Sequence, residues 1–147
     1  MTKETEAKDI LLAEDDAEDV EIFKWALDEA KIPHTLRQAS DGDMLFVMLK
    51  DKRPYILFLD LNLPCKNGLT CIQEIRQHPE YDDLPVVIYS GTSHDKQVEE
   101  AYRNGANIFM MKGMNIHNII TNLKRVFEID WSSRAYYPSI AQFVLHG

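Results

Sequence analysis

Mainly apolar residues occur in four short runs along the chain, and each run ends in residues that can carry chemistry. The runs cover 9–13, 55–59, 85–89 and 108–111. Continuous apolar runs of this length predict strands that are buried on both faces, as in a parallel sheet. A fifth and weaker strand is predicted over 35–39.

Helical patterns follow these runs, so that strand and helix alternate five times along the chain. The predicted helices cover about 17–31, 42–52, 68–78, 96–104 and 116–127. Apolar residues repeat at helical spacing on one face of most of these segments, which predicts that they pack on a core. The alternation predicts an α/β fold, a three-layer sandwich around a parallel sheet of five strands.

The alternation also predicts the domain organisation. Residues 1–8 are a polar lead, residues 9–131 form one folded domain, and residues 132–147 form a C-terminal extension. The extension begins with a linker-like segment and becomes strongly apolar from Tyr136 onward. Two interpretations stay open for it: local packing on the parent domain, or an arm for docking or dimerisation.

Asp60, which ends the third predicted strand, is the most informative residue of the chain. Parallel strands place their carboxyl ends at one edge of the sheet, so Asp60 is expected to meet Glu14 and Asp15 there. Clustered carboxylates repel one another, and an all-oxygen donor set suits Mg²⁺, which often holds phosphate oxygens. We therefore predict a metal-dependent site in which Asp60 is the nucleophile that takes up a phosphoryl group.

Two other strand ends supply groups for the same chemistry. Lys112 can offset the charge of a phosphoryl group, Ser90 can donate a hydrogen bond to it, and Gly91 leaves space for an incoming donor or water. Each position alone has a simpler explanation: Asp15 or Asp16, for example, can be the N-cap of the first helix. Four strand ends that suit one reaction favour a site.

Composition narrows the classes of partner. The 147 residues include 16 Lys and Arg against 24 Asp and Glu, a formal net charge of −8. This charge disfavours binding to DNA or to an anionic membrane and favours a protein partner. The chain has neither an apolar run of the roughly 20 residues that a membrane span needs nor a signal-peptide core, so a cytoplasmic location is expected.

Cys65 and Cys71 are predicted to be free thiols.

From about residue 8 to 128, the chain resembles the receiver domain of bacterial two-component response regulators. The segments that carry the resemblance are 10–16, 59–64, 67–68, 85–91 and 105–112. Each is weak alone, but their order and spacing are specific. The sequence around Asp60 and the 127–131 segment are similar to stand-alone receivers paired with phytochrome-type histidine kinases. The resemblance implies a flavodoxin-like, doubly wound (βα)5 fold.

The resemblance also implies an acceptor and a metal site. Asp60 would accept a phosphoryl group from a histidine kinase or a histidine phosphotransfer protein, with Mg²⁺ as cofactor. Asp15 and Asp60 would bind the metal directly, Glu14 would help through water, and Asn62 would contribute its backbone carbonyl.

The resemblance further implies a switch. Lys112 would pair with the phosphoryl group, Ser90 would move to hydrogen-bond it, and Phe109 would turn inward, while Gly91 and Thr92 would control access. The surface of the fourth helix, fifth strand and fifth helix would then be recognised by a downstream protein, or by a second copy in a homodimer. Such a protein is a phosphoacceptor in signalling and not an enzyme, with only self-phosphorylation and autodephosphorylation expected.

The sequence departs from the family at Gly113, where proline usually follows the lysine. A cis peptide bond before a residue other than proline costs about 2.5–4 kcal/mol, so the sequence leaves open whether the Lys112–Gly113 bond is trans and holds the lysine differently. The departure leaves open a degenerate receiver that acts as a phosphorylation-independent interaction module. An aspartyl phosphatase is disfavoured because Asn62 stands where those enzymes have a second Asp, and a dinucleotide-binding fold is disfavoured because no Gly-x-Gly-x-x-Gly loop follows the first strand.

Overall fold

The architecture is a parallel sheet with helices on both faces. The computed structural model describes residues 6–113, 115–131 and 137–146. Its elements, in chain order, are β1 (Lys8–Ala13), α1 (Ala17–Glu29), β2 (His34–Ala39), α2 (Gly42–Asp51), β3 (Ile56–Leu59), α3 (Gly68–Ile75), β4 (Val86–Ser90), α4 (Asp95–Arg103), β5 (Ile108–Met111), α5 (Ile116–Glu128), α6 (Ile140–Phe143) and β6 (Val144–Leu145). A 3₁₀ turn, Pro79–Tyr81, precedes β4.

The sheet has the strand order β2-β1-β3-β4-β5-β6, and every described pairing is parallel. β1 lies between β2 and β3, so the direction of winding reverses between β1 and β3. Open α/β sheets place their sites beyond the carboxyl ends of the strands at this reversal. A functional site is therefore expected at the residues that follow β1 and β3.

The α/β prediction is confirmed, but the predicted number of strands is wrong. The sheet has six strands within the described residues, because Val144 and Leu145 pair with Phe109 and Met110 of β5. A two-residue strand is too short to produce a periodic pattern, and it follows a short helix instead of the long one that alternation predicts. The linker-like part of the extension, 132–136, and residues 1–5 of the predicted polar lead lie outside the described residues.

Alternate residues of the strands feed two apolar cores, one on each face of the sheet. On β1, Ile10 and Leu12 belong to the core under α1 and α5, whereas Leu11 and Ala13 belong to the core under α2, α3 and α4. Burial of a large apolar side chain contributes about 1.5–3 kcal/mol. The two cores fix the central strands from both sides, and thereby fix the loops at their ends.

Side-chain caps set where three of the helices beside these loops begin. Asp16 caps α1 by accepting a hydrogen bond from the backbone N–H of Asp19 at 3.0 Å. Asp41 caps α2 and Asn67 caps α3 in the same way. Of the two candidates for the first cap, Asp16 therefore takes the role, which leaves Asp15 available for other contacts.

The described part of the extension packs on its own domain. The Phe143 side chain is fully buried, with its ring centroid 6.1 Å from that of Phe109 on β5 and 5.1 Å from that of Tyr102 on α4. Tyr137 stacks on Tyr102 at 4.7 Å, and the Tyr102 hydroxyl donates to the backbone oxygen of Pro138 at 2.7 Å. This end of the chain thus covers the edge of β5 and the adjoining side of α4.

Among the described helices, none combines the length and the apolar character that crossing a membrane would require.

Candidate functional site

Backbone hydrogen bonds fix the residues that follow the central strands. The N–H of Asp60 donates to the oxygen of Ala13 at 3.0 Å, and the N–H of Lys112 donates to the oxygen of Ser90 at 2.8 Å. The sheet ladder thus continues one residue beyond β3 and β5. The side chains of Asp60 and Lys112 therefore begin from rigid positions, although both residues belong to loops.

The Lys112 ammonium lies at the centre of the site. Its Nζ donates to Glu14 Oε1 at 2.6 Å, to Asp19 Oδ2 at 2.7 Å and to Asp60 Oδ2 at 3.4 Å. The side chains of Glu14 and Asp60 are 1% and 7% exposed, so these are partly desolvated charges in contact with one cation. Charge-assisted hydrogen bonds of this kind are the strong ones in proteins.

Burial and close carboxylates shift the ionisation of this cluster. Burial raises the pKa of the Glu14 carboxyl to about 7, against the hydrogen bond from Lys112, which lowers it. For Lys112, burial alone would lower the pKa, but the hydrogen bonds to Asp19 and Glu14 raise it above its ordinary value. The lysine is thus held in its charged form, and the carboxylates are in excess of the positive charge available to them.

Three of the predicted residues have carboxylate oxygens arranged as a metal site. Glu14, Asp15 and Asp60 each offer an oxygen, and these oxygens lie within 4.8 Å of one another. Glu14 and Asp60 are buried, whereas Asp15 is exposed and opens the group to solvent. A hard divalent cation that keeps some of its water fits this donor set. The backbone N–H of Asn62 donates to Asp60 Oδ1 at 3.1 Å, so this loop also orients the acceptor side chain.

The hydroxyl predicted beside the site is present but engaged in its own loop. Ser90 is fully buried, and its Oγ accepts a hydrogen bond from the backbone N–H of Thr92 at 3.2 Å. Gly91 and Thr92 are exposed, and a Cβ built on Gly91 would lie 4.0 Å from Lys112 Cδ. The β4 loop therefore passes beside the lysine chain and leaves its outer side open.

Phe109 lies on the face of the sheet that carries α3 and α4. It is fully buried and contacts the extension through Phe143. The strand that carries Phe109 ends next to Lys112, so the site and this aromatic contact share one strand. Phe109 is thus a buried core residue in this structure, and its inward turn on phosphorylation stays a prediction.

The structure settles the geometry of the loop after Lys112, which the sequence left open. The Lys112–Gly113 peptide bond is trans, and Gly113 has φ of 75°. A positive φ of this size is readily adopted by glycine and costs other residues strain. Gly113 therefore turns the chain without the cis bond that a proline allows.

Asp19 also binds the Lys112 ammonium, which the sequence did not predict. It lies in the first turn of α1, where acidic residues are common because they favour the positive end of the helix dipole, so it gave no separate signal. The structure also brings together Asp41 and Asp43, at the start of α2, and Cys65, in the loop after β3. Both cysteines are free thiols, as predicted.

Comparison with known proteins identifies what this chain is similar to. The family model described as the response regulator receiver domain matches residues 10–124. A curated relative, response regulator Rcp1 of Synechocystis sp., is 28% identical over 139 residues, which cover 90% of this chain and 94% of that protein.

Solved structures give the same similarity in three dimensions. The phosphorylated cyanobacterial phytochrome response regulator RcpA has a TM-score of 0.77 and 29% identity, over 91% of this chain and all of that one. Response regulator RPA3017, from red light signalling of R. palustris, has a TM-score of 0.79 and 27% identity, over 90% of this chain and 99% of that one. A Mn²⁺-bound form of Rcp1 has a TM-score of 0.74 and 27% identity over 90% and 99%.

Proposed function

The chain belongs to the response regulator receiver domain family, and on this premise we propose that it is a single-domain response regulator whose phosphoacceptor is Asp60. Receiver domains of the family act in phosphorylation signalling and interact with histidine kinases. The observation that carries the assignment to Asp60 is geometric. This carboxylate follows β3 at the winding reversal of the sheet, 3.4 Å from Lys112 Nζ and among two further carboxylates.

The proposed reaction is a phosphoryl transfer. A carboxylate oxygen of Asp60 attacks the phosphorus of a phosphohistidine on a histidine kinase or phosphotransfer protein. The oxygen–phosphorus bond forms, the phosphorus–nitrogen bond breaks, and the imidazole leaves with the bonding electron pair. Lys112 offsets charge on the phosphoryl oxygens, and Ser90, whose Oγ accepts from the Thr92 N–H, moves to donate its O–H to a phosphoryl oxygen. Gly91 and Thr92, on the open side of the loop, border the access route.

Divalent metal binding is a property of the family, and Mg²⁺ is the ion proposed here. Asp15 and Asp60 would hold it directly, Glu14 through water, and Asn62 through its backbone carbonyl. Carboxylate and carbonyl oxygens suit Mg²⁺, and bound Mg²⁺ would neutralise the carboxylates in excess and the charge that develops on transfer. The Mn²⁺-bound structure of Rcp1 supports a divalent site in a relative of this chain.

The proposed output is a protein-binding surface that depends on phosphorylation. A phosphoryl group adds about two negative charges, and Ser90 and Lys112 interact differently with the charged and the uncharged site. β5 carries that difference to Phe109, α4 and α5. We propose that a downstream protein, or a second copy in a homodimer, binds this surface in the cytoplasm, and that DNA and membranes are not its targets.

The alternative of a phosphorylation-independent interaction module is not favoured. Gly113 motivated it, but the trans bond at this residue still brings Lys112 to the acceptor carboxylate. The acidic residues and the lysine meet in one cluster, which is the arrangement that a competent acceptor requires.

The first test is intact mass after incubation with Mg²⁺ and acetyl phosphate, for the wild type and for Asp60→Asn. A phosphate-sized gain in the wild type alone is expected, because asparagine is nearly isosteric with aspartate and lacks the nucleophile. An equal gain in Asp60→Asn would place the acceptor elsewhere. Suppose that the wild type binds Mg²⁺ but gains no phosphate, either from small phosphoryl donors or from phosphohistidine donors. That result would favour the phosphorylation-independent interaction module.

A further inference from the structure

The Lys112 ammonium has a carboxylate partner that the proposed phosphoryl transfer does not use. Asp19 lies 2.7 Å from Lys112 Nζ, nearly as close as Glu14 at 2.6 Å and closer than Asp60 at 3.4 Å. The first two distances are those of strong charge-assisted hydrogen bonds, whereas 3.4 Å is near the limit of a hydrogen bond. Groups other than the acceptor therefore hold this lysine most closely.

The two ends of the Asp19–Lys112 pair differ in rigidity. Asp19 is placed by the first turn of α1, where its N–H is bound to the cap Asp16 and the next residue, Val20, is buried. Lys112 is placed at the start of a loop, and its side chain reaches across the ring of Tyr89 with Nζ 5.4 Å from the centroid. A long lysine chain can move its ammonium, whereas the carboxylate in the helix turn stays in place.

We propose that Asp19 is a positioning residue that keeps the Lys112 ammonium closer to itself than to Asp60 in the unphosphorylated protein, with Asp60 at the limit of hydrogen-bond distance, and thereby limits the rate of phosphoryl uptake. This inference rests on the proposed function of Asp60. When a phosphoryl group arrives, Lys112 has to exchange the Asp19 oxygen for a phosphoryl oxygen. The Asp19 carboxylate also repels the incoming group, so both effects oppose phosphorylation.

The structure offers a matched pair of variants in one helix turn. Asp19→Asn removes the charge that contacts Lys112, and Glu18→Gln removes the same charge from the preceding, exposed position. Asp19→Glu keeps a carboxylate and serves as the conservative variant. With saturating Mg²⁺ and acetyl phosphate, we expect Asp19→Asn to be phosphorylated about fivefold faster than the wild type, the effect of one close charge in a cleft open to water. Glu18→Gln is expected to change the rate less than about twofold.

A second readout reports on the lysine without any phosphorylation. Protons of an ammonium held by close carboxylates exchange slowly with water, so ¹⁵N NMR can follow the Lys112 signal. We expect Asp19→Asn to speed this exchange in the unphosphorylated protein, Asp19→Glu to restore slow exchange, and Glu18→Gln to leave it unchanged. A purely structural role of Asp19 would not produce this pattern.

Three results would overturn the positioning role. They are an unchanged or slower phosphorylation of Asp19→Asn, an equal acceleration by Glu18→Gln, and a loss of Mg²⁺ affinity in Asp19→Asn that would make Asp19 a metal ligand instead. Failure of the proposed function gives a different result. In that case neither the wild type nor Asp19→Asn gains a phosphate on Asp60, while the ammonium exchange still responds to Asp19→Asn.

Discussion

At the scale of single residues, the loop from Asp60 to Asn67, here called the acceptor loop, packs against Gly68 at a point where a side chain would not fit. A Cβ on Gly68 would lie 2.5 Å from the backbone oxygen of Asp60 and 2.7 Å from Leu61 Cα. Real Cβ atoms do not approach backbone so closely, so the loop that carries Asp60 would have to move. The N–H of Gly68 also donates to the oxygen of Leu61 at 2.9 Å, which ties α3 to this loop.

We therefore expect Gly68→Ala to destabilise the fold by about 2 kcal/mol, the usual cost of overpacking. Gly91→Ala is the matched control, because its nearest neighbour would be Lys112 Cδ at 4.0 Å, an ordinary contact. Its free energy of unfolding should stay within about 0.5 kcal/mol of the wild type. Urea denaturation of both variants measures this difference, and equal stabilities would show that the acceptor loop adapts.

The two cysteines should differ in reactivity. Cys65 is exposed, whereas Cys71 is buried and its Sγ donates to the backbone oxygen of Lys66 at 3.5 Å. Burial raises the pKa of the Cys71 thiol to about 11. At pH 8, iodoacetamide is expected to label Cys65 at least tenfold faster than Cys71 in the native protein, since the thiolate is the nucleophile. Peptide mass spectrometry measures both rates, and labelling in urea is the control that makes both sites accessible.

The raised pKa of the Cys71 thiol also makes the stability of the fold depend on pH. The folded state keeps the Cys71 proton above the ordinary thiol pKa of 9.0, at which the unfolded state releases it. The folded state therefore binds more protons between about pH 9 and 11, and this thiol lowers the free energy of unfolding as the pH rises through that window. Cys71→Ser removes the thiol and should flatten that part of the pH profile. In the labelling experiment, fast reaction of iodoacetamide with Cys71 in the native protein would contradict the burial of this thiol.

The sequence predicted most of the site at this scale, because strand ends in a parallel sheet converge by topology. Glu14, Asp15, Asp60 and Lys112 needed only that rule to be placed together. Asp19 could not be predicted, since its contact with the lysine depends on where α1 lies over the sheet. Neither pattern nor spacing encodes that distance.

At the scale of elements, the pattern of apolar and polar positions was least informative for the C-terminal extension. The chain pairs β6 with β5 in register and buries Phe143 between Tyr102 and Phe109. Apolar residues near the chain end predicted that this segment covers an apolar surface. Both local packing on the parent domain and an arm for docking or dimerisation are consistent with that pattern. The pairing of β6 depends on the free edge that β5 leaves, which is a property of the assembled sheet.

The extension should therefore contribute to stability through Phe143. We expect Phe143→Ala to lower the free energy of unfolding by about 3 kcal/mol, the cost of removing a fully buried aromatic ring. Ile140→Ala, in the same short helix but with a side chain that is 50% exposed, should change it by less than about 0.5 kcal/mol. Chemical denaturation compares the two. A Phe143→Ala variant as stable as Ile140→Ala would mean that the extension is not docked in solution.

At the scale of the whole molecule, two groups of side chains among the described residues could hold a metal ion. One group is Glu14, Asp15 and Asp60, at the ends of β1 and β3, and the other contains Asp41 and Asp43. The formal net charge is −8, so any divalent cation gains from the general field of the protein. Only a site with buried ligands that cannot relax away from one another should bind such a cation tightly, which favours the first group.

This difference can be measured through the stability of the fold, because a ligand that binds only the folded state stabilises it by RT ln(1 + [L]/Kd). At a Mg²⁺ concentration of about 100 times Kd, the wild type should gain about 2.7 kcal/mol, seen as a higher Tm that returns to its starting value when EDTA removes the ion. Asp15→Asn should lose most of this gain, because it removes a charged oxygen from the first group. Asp43→Asn removes the same charge from the second group and should keep the gain. If instead Asp43→Asn lost the gain and Asp15→Asn kept it, the ion would be held by the group that contains Asp41 and Asp43. Asp60 would then lack the metal that the proposed transfer requires.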